Sequence, residues 1–189
     1  LERTSMFFAA LGSFIFSSIE AIVVALAMSV VLYLFLMTPH EVVGTSMVPN
    51  FHNGEHLIAN KIIYSLQEPQ RGDVVIFQYS DSRDFIKRII GVPGDTISLR
   101  DGKFYVNNRV LNEEDYLDPT VYTSGGEFLH EGETVELGAG EYFVAGDNRP
   151  HSSDSRFFGP IDQGAIKGKA WLLYFPFENL RLVDHAEYQ

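Results

Sequence analysis

Residues 73–100, DVVIFQYSDSRDFIKRIIGVPGDTISLR, hold three short runs: 73–79 and 84–91, rich in Val, Ile and Phe, and 95–100, where Ile97 and Leu99 alternate with polar residues. Ser-Asp-Ser and Val-Pro-Gly separate them. Runs this short, broken by turn formers, predict β-strands rather than helix. The same rhythm continues outward. HLIANKIIY (56–64), KFYVNN (103–108), EYFVAGD (141–147) and AWLLYF (170–175) are further candidate strands, and Asp101-Gly102 is the tightest hairpin signal. No helical period of comparable length competes after residue 38, and the chain has no internal repeat. A mainly β domain over 38–189 follows. Within it the polar, turn-rich stretch 112–133 reads as a surface loop or small flap.

Upstream the pattern is different. AIVVALAMSVVLYLFLM, Ala21–Met37, carries no charge, and at about 1.5 Å per residue it covers roughly 26 Å as a helix, enough for a short membrane span. Glu20 stands at its edge, while Tyr33 and Phe35 suit the opposite interface. The aromatic stretch before it could extend the helix or lie in the interface. A cleaved signal peptide is the competing reading, and Ala25-Leu26-Ala27 imitates a cleavage site. The apolar run continues past Ala27, however, where a cleavage site should close it. Arg3 precedes the span and no Lys or Arg follows until Lys61, so the positive-inside rule puts the N-terminus in the cytoplasm and the β domain outside.

The 189 residues are 46% hydrophobic, enough for one real core plus an appendage. A net charge of −11 argues against nucleic acid as a partner, because phosphate binding needs clustered cations. With no cysteine, disulfides and thiolate metal sites are excluded.

Ser46 follows the apolar segment in GTSMVPN (44–50). A serine hydroxyl is a poor nucleophile until a base takes its proton. None of the six histidines, at 40, 52, 56, 130, 151 and 185, sits in a setting that marks it as that base. Strand alternation in 84–91 puts Phe85, Lys87 and Ile89 on one face and Ile86, Arg88 and Ile90 on the other. An amine held between apolar neighbours loses hydration. Lowering its pKa from about 10.4 to near 7.5 costs roughly 4 kcal/mol and makes it a general base. The plainer reading has Lys87 and Arg88 snorkelling to water. A third cluster, GDNRPHSSDSRFFGP (146–160), packs Asp147, Arg149, Asp154 and Arg156 among Ser152, Ser153 and Ser155. It is either a solvated turn or a charged wall that fixes a neighbouring site and offers a lysine amine a hydrogen-bond partner.

Other readings compete. His52, Glu55 and His56 in HNGEH match the H-x-x-E-H pattern of inverted zincins, which needs a helix that Asn53-Gly54 disfavours. Self-cleaving repressor domains also join Ser and Lys on a β scaffold, but need a DNA-binding segment where this chain has an apolar span. A membrane-anchored β module without enzymatic activity would make Ser46 a turn residue. Phe157-Phe158 and AWLLYFPF (170–177) read as core, with contact to the lipid surface as the alternative.

Taken in order behind a membrane span, GTSMVPN, RGDVVIF (71–77), DFIKRIIGVPGD (84–95) and GDNRPHSSDSR (146–156) resemble the successive boxes of bacterial type I signal peptidases. The resemblance runs from the anchor to about Gly159. It implies that family's antiparallel β catalytic domain and the removal of signal peptides from exported preproteins after small residues at −1 and −3. By the same resemblance Ser46 is the nucleophile, Lys87 the general base and Ser152 a hydrogen-bond partner of the lysine. Asp154 and Arg156 brace the site, with Asp147 and Arg149 beside them. Met47, Ile76, Phe85 and Ile86 are expected at the substrate pockets. The oxyanion falls to the Ser46 N–H, with Thr45 as candidate second donor. No metal or cofactor is implied, and the partners are preproteins and the lipid of the cytoplasmic membrane. Two departures stand out: Gly44, where some members carry a serine, and Asn50, where threonine commonly follows the proline.

Overall fold

The computed structural model describes residues 2–186 and 188, with side chains described outside 2–10 and 32–36. The chain divides into two compact units, 1–37 and 38–189.

The first unit is a single helix, α1 (Glu2–Leu36). Its segment Leu11–Val31, with mean hydropathy 2.3, is long and apolar enough to cross a membrane. Ser18 and Ser29 turn their hydroxyls onto the Phe14 and Ala25 carbonyls of the preceding turn, so neither presents a free donor to lipid. This segment overlaps the expected span 21–37 and includes Glu20. Met37 already belongs to the first strand. Pro39 accounts for the helix ending here, since it disfavours helical geometry at the residue before it and has no N–H to donate. The side chains of Arg3, Tyr33 and Phe35 lie outside the described residues.

The second unit is built from β1 (Met37–Glu41), β2 (His56–Asn60), β3 (Val74–Ser80), β4 (Arg83–Gly91), β5 (Thr96–Arg100), β6 (Lys103–Val106), β7 (Arg109–Val110), β8 (Thr134–Glu136), β9 (Glu141–Ala145), β10 (Ile161–Asp162), β11 (Ile166–Phe175) and β12 (Arg181–Leu182). Two short helices, α2 (Ile63–Leu66) and α3 (Ser155–Phe158), interrupt them. One sheet runs β1-β2-β11-β3-β4-β9-β10, with β12 on β11, and a smaller one runs β7-β6-β5-β8. The pairings from β2 onward are antiparallel.

Each expected strand is present, with altered bounds. HLIANKIIY splits after Asn60, whose side-chain oxygen accepts from the Ile62 and Ile63 N–H groups and starts a helical turn in place of more strand. AWLLYF extends back to Ile166. Asp101 and Gly102 make the β5–β6 turn, with φ of 50° and 72°. In 112–133 no strand or helix forms, yet Tyr116, Leu117, Thr123 and Leu129 are buried.

Alternation in β4 distributes the core. Phe85 and Ile89 join Val75, Phe77 and Val144 in one cluster. Ile86 packs on the cluster of Val42, Met47, Phe51, Leu57 and Ile76, and Ile90 enters that of Ile97, Leu99 and Phe104. Along AWLLYFPF the core expectation holds for Leu173, fully buried, whereas Trp171, Phe175 and Phe177 are 40%, 45% and 75% exposed.

Candidate active site

Ser46 begins a tight turn after β1, in which the Val48 N–H donates to the Thr45 carbonyl and the Phe51 N–H to that of Met47. Gly44, just before it, has φ +94°, a conformation that side-chain-bearing residues rarely adopt. That backbone, held by a 2.8 Å bond from the Gly44 N–H to Asn53 Oδ1, accounts for glycine in place of serine here.

Lys87 comes from the middle of β4. Its Nζ lies 2.7 Å from Ser46 Oγ and 2.9 Å from the Ile86 carbonyl oxygen, to which it donates. The residue is 3% exposed, and its amine sits 5.1 Å from the centre of the Phe85 ring. Burial lowers the Lys87 pKa to about 8 against the opposing pull of Asp154 and Asp147, and Arg156 lowers it further. The snorkelling reading is therefore not what the structure has.

The wall behind this pair is residues 146–156. Asp154 caps α3 by accepting from the Arg156 N–H, takes both Nε and Nη2 of Arg156 at 2.8 Å, and accepts from the Gly146 N–H at 3.0 Å. Burial pushes the Asp154 carboxyl up, but the Arg156 bonds and charge outweigh it and hold the group below the usual range. Asp147 accepts from Arg88 Nε and Nη2 at 2.9 and 2.8 Å and from Asn50 Nδ2 at 2.8 Å. Arg149 reaches the Gly146 carbonyl, Glu113 and Thr123, and Arg156 the Ser124 carbonyl. Segment 112–133 is thus a strap bonded to the wall.

Two of the expected site residues sit differently from what the resemblance implies. Ser152 is buried in the wall, near enough to Asp154 to help lower that carboxyl. Its hydroxyl nevertheless reaches no partner in bonding geometry among the described residues, Lys87 included; the bonds that Lys87 makes go to Ser46 and Ile86. Met47 is not among the residues lining the cavity beside Ser46 and Lys87. The turn aims it into the core with Phe51 and Leu57, 1% exposed.

A cavity of about 310 Å³ opens beside Ser46 and Lys87, with Thr45, Ile76, Phe85 and Ile86 among its lining residues. Val42 and Leu57 complete its apolar wall, with His40 and Asp84 at the rim. β9 meets β4 only from Arg88 onward, so residues 84–87 pair with β3 alone, and β1 is the end strand of the sheet. Both edges border the cavity.

Sequence reasoning missed Val42, because Pro39 and the adjoining apolar helix hid β1. It also passed over Gly146 and Asn148, whose signal was their place between Ala145 and Arg149 in the third cluster. A Cβ on Gly146 would lie 2.5 Å from the Ser46 carbonyl oxygen and 2.2 Å from Ser152 Oγ, so only glycine lets wall and turn meet this closely. Asn148 donates from its N–H to the Ser46 carbonyl at 2.9 Å and from Nδ2 to the Thr45 carbonyl at 3.0 Å. The helix required by the H-x-x-E-H reading does not form. Residues 53–54 are a turn, His56 starts β2, and Glu55 accepts from the His52 N–H and from Asn179.

A family model described as signal peptidase, peptidase S26, matches residues 15–175. The chain belongs to the signal peptidase family. A signal peptidase I of Bacillus licheniformis is 35% identical over 175 residues, 90% of this chain and 94% of that one. The signal peptidase I T of Bacillus subtilis is 36% identical, covering 86% of each chain. A signal peptidase IB of Staphylococcus aureus is 33% identical over 174 residues, 86% of this chain and 91% of that one. A crystal structure of a signal peptidase I from Enterococcus faecalis matches with TM-score 0.45 and 31% identity, over 55% of this chain and 97% of that one.

Proposed function

We propose that this family member is a membrane-anchored serine endopeptidase that removes signal peptides from exported preproteins, with Ser46 as nucleophile and neutral Lys87 as general base. One observation carries the reading: a buried amine with its pKa lowered to about 8 lies 2.7 Å from a serine hydroxyl on a cavity wall. A neutral amine has two N–H groups and one lone pair. The Ile86 carbonyl takes one N–H, which helps turn the lone pair toward Ser46.

The steps are those of acyl transfer. Lys87 takes the Ser46 proton as Oγ attacks the scissile carbonyl, and the Ser46 N–H, with Thr45 as candidate second donor, stabilises the oxyanion. The amide bond then breaks, and Lys87 passes its proton to the leaving amine. A water deprotonated by the same amine releases the acyl-enzyme. No step calls on a metal or cofactor.

Specificity for small residues at −1 and −3 follows from the apolar wall of Val42, Ile76 and Ile86, which crowds a substrate strand laid between the edges of β1 and β4. α1 would span the cytoplasmic membrane once, with its N-terminus inside and the catalytic unit on the extracytoplasmic face. The test is preprotein processing by the full chain in liposomes. Ser46→Ala and Lys87→Ala, each folded, should both abolish cleavage, and near-normal turnover by either overturns the reading.

A further inference from the structure

We infer that Asn148 is a positioning residue for the oxyanion site: by clamping the Thr45 carbonyl it aims the N–H of Ser46. The inference rests on the function proposed above and adds a role for a residue outside the Ser46–Lys87 pair.

A trans peptide unit is a rigid plane in which the C=O of one residue and the N–H of the next point in opposite directions. Thr45–Ser46 is trans, since the cis bonds are Val48-Pro49 and Phe175-Pro176. Fixing the Thr45 oxygen therefore fixes the direction of the Ser46 N–H. That oxygen accepts from two donors, the Val48 N–H at 3.2 Å within the turn and Asn148 Nδ2 at 3.0 Å from the wall. The other carbonyl beside the hydroxyl, that of Ser46, accepts from the Asn148 N–H at 2.9 Å. The Ser46 N–H donates to no described residue, so the clamped unit keeps its donor for a ligand. A hydrogen bond to a peptide oxygen also polarises that unit and strengthens its N–H as a donor.

Among the described residues Asn148 spends its side chain nowhere else. It stands at the N-cap of the helical turn Arg149–His151, a place where asparagine usually bonds its own turn, yet makes no capping bond. The close approach of wall and Ser46 turn, possible because residue 146 is glycine, brings the amide within reach of Thr45.

A misaimed donor weakens transition-state binding more than substrate binding, so the effect belongs on kcat. The test compares Asn148→Ala and Asn148→Asp with wild type in the full chain, on a signal-peptide substrate, with Ser46→Ala as control. Both variants should lower kcat by about 10-fold or more with KM within about twofold. Asp should fall further, because its carboxylate faces a carbonyl oxygen. The pH midpoint of kcat should not move in Asn148→Ala, since the base is untouched and no charge is added, and thermal unfolding of that variant should stay near wild type. Unchanged kcat in both variants, a loss confined to KM, or a shifted pH midpoint in Asn148→Ala overturns the inference. If cleavage survives Ser46→Ala, the proposed function fails as well; if Ser46→Ala is dead and the Asn148 variants are normal, only the positioning role is lost.

Discussion

Lys87 Nζ and Ser46 Oγ meet at 2.7 Å although one belongs to the middle of a strand and the other to a turn after a different strand. Burial sets the charge of that amine, with its pKa lowered to about 8. Since only the neutral form accepts a proton, kcat/KM should rise about tenfold per pH unit below that value and level off above it. Initial rates from pH 6 to 10 check this, and a midpoint near that of an ordinary histidine would point to a different base.

The same burial costs stability. An unfolded Lys87 titrates at 10.5 and the folded one at about 8, so below pH 8 the native state carries a charge that it disfavours. Between those values the unfolded chain binds more protons, and stability rises with pH. Lys87→Met should therefore be more stable than wild type at pH 7, by up to about 3 kcal/mol, with the gap closing toward pH 10.5. Urea unfolding in detergent at both pH values measures it. A variant less stable at pH 7 would mean that the amine is not desolvated.

Gly146→Ala would push a methyl against the Ser46 carbonyl and Ser152, whereas a Cβ at Gly164 meets nothing within 4 Å. We expect Gly146→Ala to lose about 100-fold or more in kcat and Gly164→Ala to match wild type. Steady-state kinetics on the pair decide whether close approach of wall and turn is required.

The Asp154–Arg156 pair is fully buried on both sides. Asp154→Ala strands the Arg156 charge and should cost about 3–5 kcal/mol. Lys167→Ala breaks an equally short pair with Asp84, but at a lysine side chain 40% exposed, and should cost under about 1 kcal/mol. Thermal unfolding of both variants separates buried from surface pairing.

Much of this arrangement was legible in the sequence because strand alternation and turn residues are local signals. The β4 run announced itself, and so did the apolar setting of Lys87 between Phe85 and Ile89. What depended on contacts across the fold was not legible. Met47 stands beside Ser46 in sequence, yet the turn sends it to the core, while Val42 enters the cavity just past the end of a strand disguised by Pro39. Ser152 has the place in the third cluster that the resemblance implies, but whether its hydroxyl meets Lys87 depends on how the wall packs against β4, and in the structure it does not. The roles of Gly146 and Asn148 arise only where wall and turn touch, and that touch leaves no mark in composition.

A titration of the Lys87 amine itself tests the central claim most directly. In the full chain, isotope-labelled at lysine and followed by NMR, the resonance lost in Lys87→Met should titrate near pH 8. A midpoint at the ordinary lysine value, about 10.4, would contradict the account.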